Sequence, residues 1–333
     1  MPWLYNRIQN REITTMHRTQ SACTQTDPEI IAQPETEHTP QPVRSEGFFP
    51  GWNQTPLFYQ CWQPSSTPRG MVALVHGLGS HSGLFDNIIQ ALVPQGYIVY
   101  GLDLRGHGRS PGQRGYINAW EEFRGDLDCF LDHIISTQHH QHQDLPLFLI
   151  GHSLGGVISL DYVIRKPDAL AGVVAIAPAL GCVGVPPLKL HIGKILSQVW
   201  PGFTLSTGLD HTAASRDPAI LERYRTDPLR HTKGTARLAT EFMNTTRWIH
   251  SHAPRLNCPL LILHGSEDQV ALPEGSDRFF SNVRFPNKIR YEYEGGYHDL
   301  HNDTNFPTVL QDLSTWLQCQ VDASQACTCP ISA

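Results

Sequence analysis

The sequence is poor in charge and lacks the signals of several protein classes. Charged residues make up only 17% of its 333 residues, the formal net charge is −6, and no run of lysines or arginines occurs. Nucleic-acid-binding proteins usually carry a concentrated basic patch, so we expect no nucleic-acid partner. A membrane-spanning helix needs about 18 or more consecutive apolar residues. No such stretch is present, so the sequence predicts no membrane-spanning helix.

The cysteines and the N-terminus lack the marks of an exported protein. Residues 1–7 contain no apolar signal-peptide core, and the eight cysteines follow no framework spacing, so we expect reduced thiols and a cytoplasmic protein. Residues 17–45 are rich in Gln, Thr, Pro and Glu and offer few apolar side chains to bury. We predict a disordered extension over residues 1–45, one folded domain over 46–321 and a flexible tail over 322–333.

What the chain does contain is a serine within a Gly-x-Ser-x-Gly turn. The apolar run 146–150 predicts a strand, which ends in Gly-His-Ser-Leu-Gly-Gly at 151–156, and a helical pattern follows at once. Glycines two residues on either side let a strained turn fit between strand and helix, with the hydroxyl of Ser153 exposed at its apex. Ser153 is therefore the predicted nucleophile.

A serine nucleophile needs a base to take its proton and a third group to orient that base. In α/β-hydrolases both follow the serine along the chain, first the acid and then the histidine. The strand pattern 259–263 runs into a loop that contains Asp268, and the strand pattern 288–293 runs into a glycine-containing loop with His298. We predict Asp268 as the acid and His298 as the base, because functional groups collect beyond the carboxyl ends of such strands.

Neighbouring polar residues leave alternatives open. Glu267 stands beside the predicted acid and could take its place, while Asp299 and His301 stand close to the predicted base. His107, in a glycine-rich loop, could contact a substrate. We expect it instead to hold its loop by hydrogen bonds, since the base is already accounted for.

Acyl transfer also requires hydrogen-bond donors for the oxyanion that develops in the transition state. One predicted donor is the backbone N–H of Leu154, next to the nucleophile. The second should come from the loop after an early strand, here residues 71–75, which the glycine-rich segment 76–83 follows. Glycines on both sides of Leu78 let its N–H approach a substrate, so Leu78 is the second predicted donor.

Taken together, these motifs resemble the monoacylglycerol lipase and lysophospholipase branch of the α/β-hydrolases. The resemblance covers about residues 46–321 and rests on HGLGSHS at 76–82, DLRGHGRS at 103–110, GHSLGG at 151–156 and YH at 297–298. It implies the same assignments as the spacing: Ser153 as nucleophile, Asp268 as acid, His298 as base, and Leu78 with Leu154 as oxyanion donors. It also implies single-chain lipid esters as substrates, with neither a metal nor a cofactor.

The order of the predicted elements indicates an α/β-hydrolase fold, with a mostly parallel central sheet and helices on both faces. Strand and helix stop alternating over about residues 178–257, which we predict to be a helical cap insertion. Within it, residues 187–200 have an amphipathic helical pattern. We expect this helix to pack on the body of the domain, and contact with a membrane or micelle surface is the alternative.

The sequence thus predicts a serine hydrolase that cleaves esters of a monoacylglycerol or a lysophospholipid through an acyl-enzyme on Ser153. A general carboxylesterase or an acyltransferase would use the same triad. A serine aminopeptidase would need acidic groups for the substrate's ammonium, and Asp210, Glu222 and Glu241 of the predicted cap are candidates. A non-catalytic receptor on the same fold is a further alternative, since a fold does not dictate a function. The oligomeric state is left open.

Overall fold

A nine-stranded mixed sheet lies at the centre of the protein, in a computed structural model that describes residues 15–18, 43–138, 145–167, 170–181, 193, 195–208 and 211–328. Its strands are β1 (Thr15–Arg18), β2 (Val43–Pro50), β3 (Pro56–Gln63), β4 (Gly70–Val75), β5 (Tyr97–Leu102), β6 (Leu147–His152), β7 (Gly172–Ile176), β10 (Leu260–Gly265) and β11 (Lys288–Tyr293). A separate antiparallel pair consists of β8 (Thr204–Ser206) and β9 (Lys233–Thr235).

The strand order across the main sheet is β1-β11-β10-β7-β6-β4-β5-β3-β2. Only β3 runs against its neighbours, so the sheet is mostly parallel. Every residue of β4, β5 and β6 is buried, as expected for parallel strands that are covered on both sides. Because these strands are continuous apolar runs, their positions could be predicted from the sequence.

Helices cover both faces of this sheet. They are α1 (Asp86–Leu92), α2 (Trp120–Gln138), α3 (Leu154–Arg165), α4 (Pro218–Thr226), α5 (Ala236–His252), α6 (Pro273–Asn282) and α7 (Phe306–Thr328). Side chains alternate along each strand, so Ala73 and Val75 join the core under α2, α3, α5 and α6, whereas Val72 and Leu74 join the core under α1 and α7. The α/β-hydrolase architecture predicted from the element order is the one observed.

At both ends the structure differs from the expected boundaries. β1 lies within the segment expected to be disordered and pairs in parallel with β11, whose outer edge would otherwise be open. At the other end, α7 continues through the first residues of the expected tail, because no glycine or proline interrupts the chain before Pro330. Residues 1–14, 19–42 and 329–333 lie outside the described part of the chain.

We call residues 178–257, between β7 and β10, the β7–β10 segment. Its described residues contain β8, β9, α4 and α5. Of the predicted amphipathic helix 187–200, residues 195–199 are helical, and most of the preceding positions lie outside the described residues. Ile195 and Val199 are 50% and 79% exposed, so this part of the expected apolar face does not pack on the body. Among the described helices, none is long and apolar enough to cross a membrane.

Candidate active site

Ser153 occupies the turn between β6 and α3, as the glycine spacing predicts. Its φ of 56° and ψ of −115° place a non-glycine residue in a sparsely populated region of backbone conformation. The surrounding glycines permit this close turn. A β-carbon at Gly151 would overlap the carbonyl oxygen of Gly155, and one at Gly155 would overlap that of Val75. The strain at Ser153 is therefore held by backbone contacts on both sides of the turn.

Ser153, His298 and Asp268 form one hydrogen-bonded chain. His298 Nε2 lies 2.9 Å from Ser153 Oγ, and His298 Nδ1 lies 2.7 Å from Asp268 Oδ2. All three side chains are buried, although the serine and the histidine are 145 positions apart in the chain. With Nδ1 donating to the carboxylate, Nε2 of the neutral ring is free to accept the serine proton.

The loop after β10 aims Asp268 at the imidazole. The backbone N–H groups of Val270 and Ala271 donate to Asp268 Oδ1 at 2.8 and 2.9 Å, and His264 Nε2 lies 3.2 Å from Oδ2. Glu267, the alternative acid, has an exposed side chain. The structure thus places Asp268, and not its neighbour, against the histidine.

The pKa values of Asp268 and His298 are set by the competition between burial and charge pairing. Burial works to raise the pKa of Asp268, but the positive charge of His298 and the hydrogen bonds from His264 and His298 outweigh it and hold this pKa far below its ordinary value. Burial works to lower the pKa of His298, and Asp268 together with Asp299 raises it above 6.5. The site therefore stabilises the imidazolium that forms when the ring takes a proton.

The two predicted oxyanion donors lie on the segments that flank the serine. Leu154 is the first residue of α3, so its N–H has no acceptor within the helix, and the positive end of the helix dipole lies here. The loop of Leu78 lies against the nucleophile, since a β-carbon at Gly77 would be 3.0 Å from Ser153 Cβ. Among the described residues, neither Leu78 nor Leu154 has an acceptor for its N–H.

His107 is buried and holds its own loop, as expected. Its Nδ1 lies 2.9 Å from the carbonyl oxygen of Arg105, and its ring centroid lies 5.3 Å from that of His76 and 4.7 Å from that of His231. Burial, and then the two neighbouring histidines, lowers the pKa of His107 well below 6.5. A neutral ring with its donor engaged serves to fix the loop.

A second buried group adjoins the triad, and no sequence motif assigns it a role. His152, Asp299 and His301 surround the loop of His298, and the ring of His152 lies 4.9 Å from each of the other two histidines. The only sequence signal was adjacency, because His152 precedes the serine and Asp299 follows the base. Among the described residues, one three-residue group could hold a metal, namely His152, His298 and Asp299. Both ring nitrogens of His298 are already engaged within the triad.

The β7–β10 segment contacts the site at two places. Residues 213–217 run along the loop of His298, where Asp299 N donates to the carbonyl oxygen of Ala214 at 2.8 Å and Arg216 pairs with the buried Asp303 at 2.8 Å. At the other place, His81 Nε2 lies 2.8 Å from Asp227 Oδ2 beside the loop of Leu78. The segment is thus attached to both loops that line the serine.

Comparisons with known proteins agree with this geometry. Residues 66–305 match the family model Hydrolase_4, described as serine aminopeptidase, S33. The chain is 33% identical over 277 residues to a monoacylglycerol lipase of Mycolicibacterium smegmatis, covering 83% of this chain and 97% of that protein. It is 31% identical over 279 residues to the monoglyceride lipase of Mus musculus, covering 82% and 90%. The crystal structure of Paleococcus ferrophilus monoacylglycerol lipase matches with a TM-score of 0.71 and 32% identity, covering 84% and 99%.

Proposed function

This chain belongs to the Hydrolase_4 family of α/β-hydrolases and is a serine ester hydrolase acting on lipid esters, and we propose that its substrates are monoacylglycerols or lysophospholipids. The proposal rests on the length of the similarity, since the relatives compared are monoacylglycerol or monoglyceride lipases matched over most of their chains. The hydrogen-bonded chain of Ser153, His298 and Asp268 supports a reaction at the serine hydroxyl.

In the proposed mechanism His298 Nε2 takes the proton of Ser153 as Oγ attacks the acyl carbonyl. Asp268 holds Nδ1–H and stabilises the imidazolium. The N–H groups of Leu78 and Leu154 donate to the oxyanion of the tetrahedral intermediate, and one such donor typically contributes about 3 kcal/mol to transition-state stabilisation. The imidazolium then protonates the leaving alcohol. A water molecule, activated by the neutral histidine, hydrolyses the acyl-enzyme and releases the fatty acid.

The aminopeptidase alternative finds less support. Such an enzyme needs a free carboxylate for the substrate's ammonium, and two of the three candidate acids have partners. Glu241 accepts a hydrogen bond from the backbone N–H of Trp120 at 3.2 Å, and Glu222 pairs with Arg225 at 2.7 Å. Asp210, the third candidate, lies outside the described residues.

We also propose that the β7–β10 segment is a cap that meets a lipid surface. Ile195, Val199 and Trp200 are 50%, 79% and 61% exposed. Ile195 and Val199 lie on one short helical stretch, and Trp200 follows directly after it. Transfer of exposed apolar side chains of this size from water to the boundary between head groups and acyl chains is favourable in free energy. Such contact would let a single-chain lipid pass from a membrane to the site while the protein itself stays at the surface of the cytoplasmic leaflet.

The test is fatty-acid release from a long-chain monoacylglycerol, a lysophosphatidylcholine and a short p-nitrophenyl ester, each with the parent protein and with Ser153→Ala. We expect turnover of one of the two lipids, and a loss of at least about 10⁴-fold in Ser153→Ala, because the triad acts as a unit. An unchanged unfolding midpoint shows that the variant remains folded.

Different outcomes would separate the alternatives. Turnover of the short ester alone would indicate a general carboxylesterase, and transfer of the acyl group to an added alcohol would indicate an acyltransferase. Near-normal activity of Ser153→Ala would contradict the mechanism at the serine.

A further inference from the structure

Asp299 is a second buried carboxylate beside the catalytic histidine. It follows His298 directly, its residue is 8% exposed, and it is not the acid of the triad. A carboxylate without hydrogen-bond donors is costly to bury, so its partners indicate what it does. Those partners come from the end of β6 and from the β7–β10 segment.

The first partner is His152, the residue before the nucleophile. Its Nε2 lies 3.3 Å from Asp299 Oδ1 and 3.3 Å from the carbonyl oxygen of His298. Burial lowers the pKa of His152 to about 3, so its ring is neutral and its Nε2–H donates to the carbonyl oxygen of His298. One N–H thus joins the residue before the serine to the loop that carries the base.

The other partners belong to the β7–β10 segment. The backbone N–H of Asp299 donates to the carbonyl oxygen of Ala214 at 2.8 Å. Burial works to raise the pKa of the Asp299 carboxyl, but the neighbouring histidines and then the hydroxyl of Tyr224, on α4, hold it below its ordinary value. Tyr224 is itself buried and accepts a hydrogen bond from Asn302 Nδ2 at 2.8 Å. Asp299 therefore contacts both the serine turn and the β7–β10 segment.

We propose that Asp299 is a positioning residue of the triad, which fixes the loop of His298 against the serine turn through His152 and adds a second negative charge beside the imidazole. This inference rests on the proposed function, in which His298 is the base. Asp299 does not touch the reacting atoms. It acts through His298, by orienting the ring and by stabilising the imidazolium that forms in the transition state.

Other charged or titratable groups around His298 do not supply this second charge. Asp268 faces the ring from the loop after β10, and its own partner His264 lies behind it. His152 at the end of β6 and His301 in the turn after Asp299 are neutral, because burial lowers the pKa of His301 to about 4 and that of His152 to about 3. Asp299 is thus the additional anion next to the base among the described residues.

The experiment compares kcat/KM against pH for the parent and Asp299→Asn with a p-nitrophenyl ester, normalised to active sites by a serine-directed phosphonate. We expect kcat/KM at neutral pH to fall by about 10- to 100-fold, the scale of a small misplacement of a catalytic group. On the acidic side of the profile, where kcat/KM falls as the pH drops, we expect the midpoint of this acidic limb to shift to lower pH by about one unit. The reason is that removing a neighbouring negative charge lowers the pKa of the imidazole. Asp299→Glu, which restores the charge, should return the limb toward the parent position.

Asp303→Asn is the matched control. It removes a buried carboxylate from the same loop, but one whose charge is already paired with Arg216. The acidic limb of this variant should stay at the parent position. An unmoved limb in folded Asp299→Asn, or an equal movement in Asp303→Asn, would overturn the proposal.

If Asp299→Asn does not fold, Asp299→Ser makes the same change of charge with a smaller side chain and is judged by the same criterion. If neither neutral variant folds while Asp299→Glu does, the residue is structural and the proposal is wrong. Activity in the parent and its loss in Ser153→Ala are measured alongside. A parent protein without activity would contradict the proposed function. An active parent whose acidic limb stays in place in the neutral Asp299 variants would contradict only the role of Asp299.

Discussion

The protonation of a single side chain, His298, links the geometry of the site to a measurable rate. In the proposed mechanism the ring must be neutral to accept the proton of Ser153, and it becomes charged as the serine attacks. Two carboxylates favour the charged form, one of them bonded to the ring and the other beside it. The same charges that stabilise the transition state therefore also set the pH at which the free enzyme loses its base.

We predict that kcat/KM of the parent protein falls on acidification with a midpoint above pH 6.5. The sign follows from the pairing, because a raised pKa means that the ring holds its proton, and is inactive as a base, up to a higher pH. The measurement is initial-rate kinetics with a soluble ester from pH 5 to 9. A midpoint below 6.5, or a flat profile, would contradict the assignment of His298.

At the scale of elements, the β7–β10 segment is joined to the sheet side of the site by polar contacts. Asp303 accepts the backbone N–H groups of Arg216 and Tyr297 at 2.8 and 2.9 Å, and its carboxylate also pairs with the Arg216 guanidinium. The Asp303 side chain is fully buried, whereas that of Arg216 is 28% exposed. Loss of the guanidinium leaves a buried carboxylate with fewer partners, which is costly.

Arg216→Met should lower the free energy of unfolding by about 2 kcal/mol, since one partner of a buried charge is removed while part of the pair was already hydrated. The measurement is the urea midpoint at neutral pH. Arg225→Met is the matched control, because Arg225 lies on α4 in an exposed pair with Glu222 and should change the midpoint little. Equal midpoints for the two variants would show that the Arg216–Asp303 pair does not hold the segment.

At the scale of the whole molecule, the chain buries several histidines in the neutral form. Burial lowers the pKa of His76 and His152 to about 3 and that of His231 and His301 to about 4, from 6.5 in the unfolded chain. Between pH 6.5 and about 4 the unfolded chain therefore binds more protons than the folded one. By linkage, these groups make stability fall as the pH drops through that window.

We predict that the urea midpoint decreases steadily from pH 7 to pH 4.5. His298 acts in the opposite sense, because its raised pKa contributes stability below 6.5 that is lost as the pH rises, but the buried histidines with a lowered pKa outnumber it. Equilibrium unfolding followed by tryptophan fluorescence at closely spaced pH values would measure the slope. A midpoint that is constant or higher at pH 5 than at pH 7 would show that these histidines titrate normally in the folded protein.

Much of the site could be predicted because its parts are local patterns. Ser153 follows from the glycine spacing, and the positions of Asp268 and His298 follow from the strands that precede them, since parallel strands end at one edge of the sheet. The pattern alone does not separate Asp268 from Glu267, because both occupy the same loop. Burial decided it, as one side chain enters the interior and the other remains in solvent.

The network around Asp299 could not be predicted in the same way. His152, Asp299 and Tyr224 come from a strand end, a loop and a helix that are far apart in the chain, and no local spacing relates them. The exposed side chains Ile195 and Val199 are a second example. Their helical periodicity was visible, but periodicity alone does not say whether an apolar face packs on the protein or faces outward.

The sequence by itself determined the fold class, the order of the central strands and their helices, and the serine turn, because apolar runs, glycine spacing and helix starts act over a few residues. Tertiary structure alone decided which carboxylate faces the imidazole, how a second one supports it, and where the β7–β10 segment attaches. These depend on distances and burial between residues remote in the chain, and so on the summed packing of the whole domain.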